Sequence, residues 1–137
     1  MTRRCRIPAN TGLFFPLFNI ECSTLEPPPF HGEDEQTLRT CAEAVGISGF
    51  HLSVDGSEVP EKTLESFYIT TPTAFAVDVP ADNIMSVPGP ASGLSVGAGV
   101  HVLLQPLPVG RHVLRFGGRS TTYDVEMDIT YEIDVTS

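Results

Sequence analysis

The residue pattern that most resembles a catalytic signature is Gly93-Leu94-Ser95-Val96-Gly97. It matches G-x-S-x-G, in which a strand, a sharp turn and a helix raise a serine above a parallel sheet. Here it stands in a Gly-rich stretch with no βαβ pattern around it, so it reads as loop and not as a nucleophile elbow. Four histidines are present. His112 alternates with Leu114 and Phe116 and is predicted half-buried and bonded to backbone. His51 and His101 oppose the apolar faces of their strands and are expected in solvent. His31 sits in a proline-bounded loop beside Glu33. No two histidines have metal-ligand spacing on one element, and the reading assigns no metal and no cofactor.

Carboxylates are plentiful. Asp124, Glu126, Asp128, Glu132 and Asp134 form a stripe on one face of a strand. Same-face neighbours there lie about 7 Å apart, too far for two adjacent ones to chelate one ion. The stripe reads as a solvated face that resists aggregation, with a weak calcium site or a docking face for a basic partner as the functional alternative. Arg115 is expected across the hairpin from Asp124. Glu21, between Asn19 and Ser23, is expected to find an ion-pair partner in Arg4 or Arg6. Asp82-Asn83 opens a long loop and, with Tyr68 and Ser95, is the expected lining of a small binding pocket.

The elements that must position these residues follow from periodicity. Residues 3–7 and 13–21 read as strands, the second apolar on both faces. Leu38, Cys41, Ala42 and Val45 make one apolar stripe at helical spacing. A helix is predicted at about 33–45, with acids in its first turn and Gly46 after its end. From residue 48 the period is two. Asp55-Gly56 is a hairpin signal, and strands are predicted at 64–70, 75–79, 100–104, 112–116 and through the run from Tyr123 to Val135. The Gly/Pro/Ser-rich segment 80–98 is predicted to be a loop, and loops of that length tend to be functional. The result is one all-β domain over 1–137. It is an antiparallel β-sandwich, jelly-roll or immunoglobulin-like, with one short inserted α-helix.

The 137 residues carry a formal net charge of −9 with 12 Gly and 12 Pro. Such a charge repels phosphate backbones and anionic lipid, which argues against nucleic acid. No apolar run is long enough to span a membrane. Arg3, Arg4 and Arg6 before Leu13–Phe18 imitate the start of a signal peptide. Pro16 interrupts the apolar run and no small-residue cleavage site follows, so a strand is preferred. Three cysteines leave one odd thiol. Cys22–Cys41 is the preferred disulfide if the chain is exported, with Cys5 a competitor and a reduced state an alternative.

Three segments carry a family resemblance. They are Cys5–Ala9 with Leu13–Ser23, Val54-Asp55-Gly56 with Phe75, Pro80 and Asn83, and Pro108–Gly118 leading into Asp128–Ile133. Together they resemble a group of uncharacterised bacterial proteins, many with an export signal. The resemblance spans nearly the whole chain and its motifs look structural. It implies a periplasmic or extracellular setting, with the cytoplasm still open, and it implies no activity. A short stand-alone chain of this kind also fits a mobile gene-cassette origin. The resulting expectation is a non-enzymatic ligand- or protein-binding, or structural, sandwich working through the 80–98 loop. The competing reading is a hydrolase assembled from several strands and that loop, and a third is a homodimer built by exposed strands.

Overall fold

The computed structural model describes residues 1–137. In chain order the elements are β1 (Thr2–Pro8), β2 (Leu13–Ser23), α1 (Glu35–Glu43), β3 (Ile47–Val54), β4 (Ser57–Glu58), α2 (Glu61–Glu65), β5 (Tyr68–Thr70), β6 (Phe75–Val79), β7 (Ala91–Leu104), β8 (Gly110–Ser120) and β9 (Val125–Thr136). One sheet has the order β1-β9-β8-β3-β4. The other has the order β2-β7-β5, with β6 also on β7. The two-sheet, mostly β architecture with a short helix is the one the alternation predicts.

The chain divides into two compact units. The first comprises 1–19, 47–68 and 99–137, and the second 20–46 and 69–98. In the first, the two-residue rhythm of β3, β8 and β9 turns Phe50, Leu52, Leu114, Phe116, Ile133 and Val135 inward, where they meet Leu17, Phe18, Val100 and Val102. Each such burial is worth about 1.5–3 kcal/mol. Phe116 stacks on Tyr131 with ring centroids 6.2 Å apart and packs on Phe15 at 4.7 Å. Asp55 (φ 52°) and Gly56 (φ 79°) make the tight β3–β4 turn that their types favour. One pairing departs from the antiparallel expectation: β1 runs parallel to β9. A parallel pair needs a long crossover, and here nearly the whole chain supplies it.

In the second unit Leu38 and Ala42 of α1 pack with Cys22, Val96 and Ala98. Cys22 and Cys41 form a disulfide with Cα atoms 6.2 Å apart, and Cys5 is a free, half-buried thiol. The helix, 35–43, is shorter than predicted, and it starts later because Asp34 caps it. Asp34 accepts from Thr37 N at 2.8 Å, and Thr37 Oγ1 accepts from Asp34 N at 3.0 Å, so the acids at 33–34 stand before the first turn. Arg39 ties the helix to 71–72 by donating to the carbonyls of Thr71 at 3.0 Å and Pro72 at 2.9 Å.

Two further differences have local causes. The strand expected at 64–70 is only Tyr68–Thr70, because Pro60 precedes the extra helix α2; proline fixes the backbone angle a helix start requires. Leu64 of α2 is fully buried. The loop expected at 80–98 ends at 90, and 91–98 belongs to β7. Glycines hide the alternation there. A Cβ on Gly93 would lie 2.5 Å from Thr24 Oγ1 and 2.7 Å from Leu25 Cγ, so the small residue permits close strand approach.

Candidate binding site

On the outward face of the five-stranded sheet, the acidic strand β9 lies between two basic strands, β1 and β8. β9 presents Glu126, Asp128, Glu132 and Asp134. On one side β1 sets Arg4 against Glu132 and Arg6 against Asp134. On the other β8 sets Arg111 against Asp134, Arg115 against Thr130 and Arg119 against Glu126. The acidic stripe is thus flanked by arginines and is not a bare solvated face. Arg4 Nε donates to Glu132 at 2.6 Å and Arg6 Nε to Asp134 at 3.3 Å. Two expectations fail here. Glu21 does not pair with Arg4 or Arg6, because β1 joins β9 while β2 lies in the other sheet. Arg115 does not meet Asp124, which leaves the strand in a turn at φ 50°, a backbone region that Asp tolerates. Arg115 grips Asp128 instead, with Nε at 2.9 Å and Nη2 at 2.7 Å.

Asp128 also bonds His51, with Nε2 at 3.2 Å. The Arg115 guanidinium, with His51 beside it, holds the Asp128 carboxyl well below the usual carboxylate range. Glu58, Glu61, Arg115, Glu126, His51 and Asp128 border a cavity of about 570 Å³. In a hydrolytic triad the carboxylate orients the imidazole and balances its developing charge. Here a bidentate guanidinium already occupies that carboxylate.

His112 is closed in another way. Its Nδ1 lies 2.7 Å from Asp55 Oδ2 and its Nε2 lies 2.9 Å from the Pro108 carbonyl. A carbonyl only accepts, so Nε2 carries a proton, and a carboxylate on Nδ1 favours a second one. The Asp55 bond raises the imidazole above its ordinary value. The backbone contact expected for His112 is present, and Asp55 is the partner that alternation does not reveal. Beside it, Arg4, Arg6, Arg111, Glu132 and Asp134 line a cavity of about 820 Å³.

The second unit holds a carboxyl pair. Ser23 donates to Glu26 Oε2 at 3.0 Å, Ser95 donates to Glu21 Oε1, and the Glu21 and Glu26 side chains share a hydrogen bond. Both serines are buried. Burial and the neighbouring Glu21 push the Glu26 carboxyl up to about 7. Two carboxyls this close retain a proton between them.

No protein-family model, curated protein or solved structure matches this chain. The site residues expected from sequence are therefore placed on geometry alone. Ser95 is 1% exposed, in the middle of β7, and bonds a carboxylate and no histidine; it is not at an elbow. Asn83 closes its own loop. Its amide nitrogen donates to the Pro80 and Val87 carbonyls at 2.9 and 3.0 Å, and its oxygen accepts from Val87 N at 3.3 Å. Asp82 is exposed on that loop. Tyr68 is 41% exposed at the start of β5 and belongs to the first unit, whereas the other three belong to the second. His101 differs from expectation as well: it stacks on Phe14 at 5.7 Å and its Nδ1 is buried without a partner. No helix is long and apolar enough to cross a membrane. Sequence reasoning misses the Arg4/Arg6/Arg111 group because it offers Arg4 or Arg6 to Glu21 and gives Arg111 no role. Arg4 and Arg6, two apart on a strand facing an acidic alternation, were the available signal.

Proposed function

We propose that the chain is a non-enzymatic binding domain whose working surface is the outward face of the five-stranded sheet. The observation that carries this reading is the contrast between closed catalytic candidates and an open cationic group. His112 has both ring nitrogens engaged and Asp128 is engaged by Arg115 and His51. Ser95 is buried against Glu21. The Arg111 side chain, lining the larger cavity, has no ion-pair or hydrogen-bond partner. Cavities of several hundred Å³ with a few convergent polar groups are the usual form of small-molecule sites. The Cys22–Cys41 bridge supports an oxidising setting, periplasmic or extracellular.

One observation favours a hydrolase as the second reading. Glu26, raised to about 7 beside Glu21, has the acidity of a general acid that works at neutral pH. The two readings separate in one experiment. The full chain and its Glu26→Gln variant are incubated with ester, phosphoester and glycoside test substrates. The binding reading expects no turnover that differs between them. Turnover with an inflection near pH 7 that vanishes in Glu26→Gln replaces it with the hydrolase.

A further inference from the structure

We infer that the cavity across β1, β9 and β8 is an oxyanion site, in which Arg111 and the free ends of Arg4 and Arg6 receive a phosphate, sulfate or carboxylate group of a small organic ligand. The inference rests on the binding reading and adds the ligand's chemistry. Its geometry starts from register. Arg6, Asp134 and Arg111 occupy one row across three adjacent strands, and Arg4 and Glu132 occupy the next row. Strands lie about 4.8 Å apart and same-face residues on one strand about 7 Å apart, so the three guanidiniums surround one patch of sheet.

The hydrogen-bonding inventory leaves donors over. Arg4 and Arg6 each bond their carboxylate through Nε, which leaves the terminal nitrogens as spare donors. Arg111 contributes its whole fork, and a guanidinium fork matches the paired oxygens of carboxylate and phosphate. Three guanidiniums face two carboxylates, so the patch keeps one positive charge in a chain whose net charge is −9. The neighbouring imidazole of His112 is engaged by Asp55.

The ion pairs present do not obstruct the site. Arg4 and Arg6 are 82% and 73% exposed. Pairs in that much water are weak, so the guanidiniums swing to a ligand at small cost. The size is informative too. A water occupies about 30 Å³ and the cavity about 820 Å³, so it leaves room for an anionic group attached to a larger body. The anionic remainder of the chain disfavours long polyanions, which would be repelled beyond the patch.

The test uses the full chain at constant ionic strength with chloride as the reference. Inorganic phosphate, sulfate and citrate are titrated separately while arginine Nε–H and backbone-amide NMR signals are followed. Saturable shifts at Arg4, Arg6 and Arg111 are expected with at least one of them. Arg111→Gln should weaken that binding at least tenfold. Lys62→Gln, the same charge change on α2 and outside the cavity's lining, should leave it within twofold. If Arg111→Gln loses its dispersed spectrum, Arg6→Gln serves in its place. Equal weakening by Lys62→Gln, or no saturable shift with any of the three anions, overturns the oxyanion site. If neutral or cationic ligands still shift the same face, the binding reading survives while the oxyanion assignment falls.

Discussion

Asp55 and His112, 57 positions apart, form a two-point clasp between the β3–β4 turn and β8. Asp55 Oδ2 meets His112 Nδ1 at 2.7 Å, and Asp55 Oδ1 accepts from Val113 N at 2.8 Å. The turn is fixed against β8 by this carboxylate as well as by its own backbone.

The clasp has a defined pH window. The His112 imidazole is raised by its bond to Asp55, and the Asp55 carboxyl is lowered by the bond to His112. A raised histidine contributes stability fully below the ordinary value of about 6.5 and loses it as pH rises through the folded value. A lowered carboxyl contributes above about 3.9 and loses it as pH falls. The pair is therefore strongest between about pH 4 and 6.5. NMR titration should find His112 still cationic above pH 6.5, and Asp55→Asn should return it to the ordinary range at a cost of about 1 kcal/mol. A wild-type His112 that titrates at or below 6.5 contradicts the clasp.

The Glu21–Glu26 pair runs only one way with pH. Glu26 is raised to about 7 from an ordinary 4.5, so its favourable contribution is complete below the lower value and disappears as pH climbs to the higher one. Glu26→Gln keeps a hydrogen-bonding side chain and removes the charge. It should match the wild type within about 0.5 kcal/mol at pH 4.5 and exceed it by about 1–2 kcal/mol at pH 8, after allowance for partial exposure. Denaturant melts at the two pH values check this, and parallel pH profiles for the two proteins would show that the carboxyls do not share a proton.

The Cys22–Cys41 bridge closes a separation of 19 residues. Replacing both cysteines by alanine should cost about 3 kcal/mol through the freer unfolded chain. Because Cys22 and Cys41 join the core of the second unit, hydrogen exchange should rise there first. A loss below about 0.5 kcal/mol would mean that the bridge does not constrain the unfolded chain.

Gly117 guards the cleft beside His51. A Cβ there would lie 1.8 Å from the Met127 carbonyl and 2.7 Å from His51 Cε1. Gly117→Ala should therefore destabilise by at least about 1–3 kcal/mol, as forced overpacking does, and shift the His51 ring signals. Gly110→Ala is not an equivalent control, since its backbone is itself at φ 144°. Leu103→Ala, at an exposed side chain, is the suitable reference. An unchanged melting point for Gly117→Ala would mean that β8 and β9 are not this close.

The sheets were legible because side-chain alternation in β3, β8 and β9 is driven by burial, and burial leaves its rhythm in the residue types. The Asp55-Gly56 turn and the Cys22–Cys41 pairing were legible for similarly local reasons. Strand β7 was hidden at 91–98, where Gly93, Ser95 and Gly97 supply no apolar period. Helix α2 was hidden by its five-residue length. The charged face was illegible for a different reason. Register between β1 and β9 joins residues about one chain length apart, and no local pattern says which arginine meets which acid. Hence the sequence offers Arg4 or Arg6 to Glu21, whereas Arg4 meets Glu132 and Arg6 meets Asp134.

The working face can be located directly by backbone-amide NMR mapping with a chemically mixed fragment library on the intact, oxidised chain. The binding reading predicts that saturable shifts concentrate on outward residues of β1, β8 and β9, around Arg4, Arg111 and Glu132. Shifts confined to Ser23, Glu26 and Ser95, or spread without saturation over the whole chain, would contradict it.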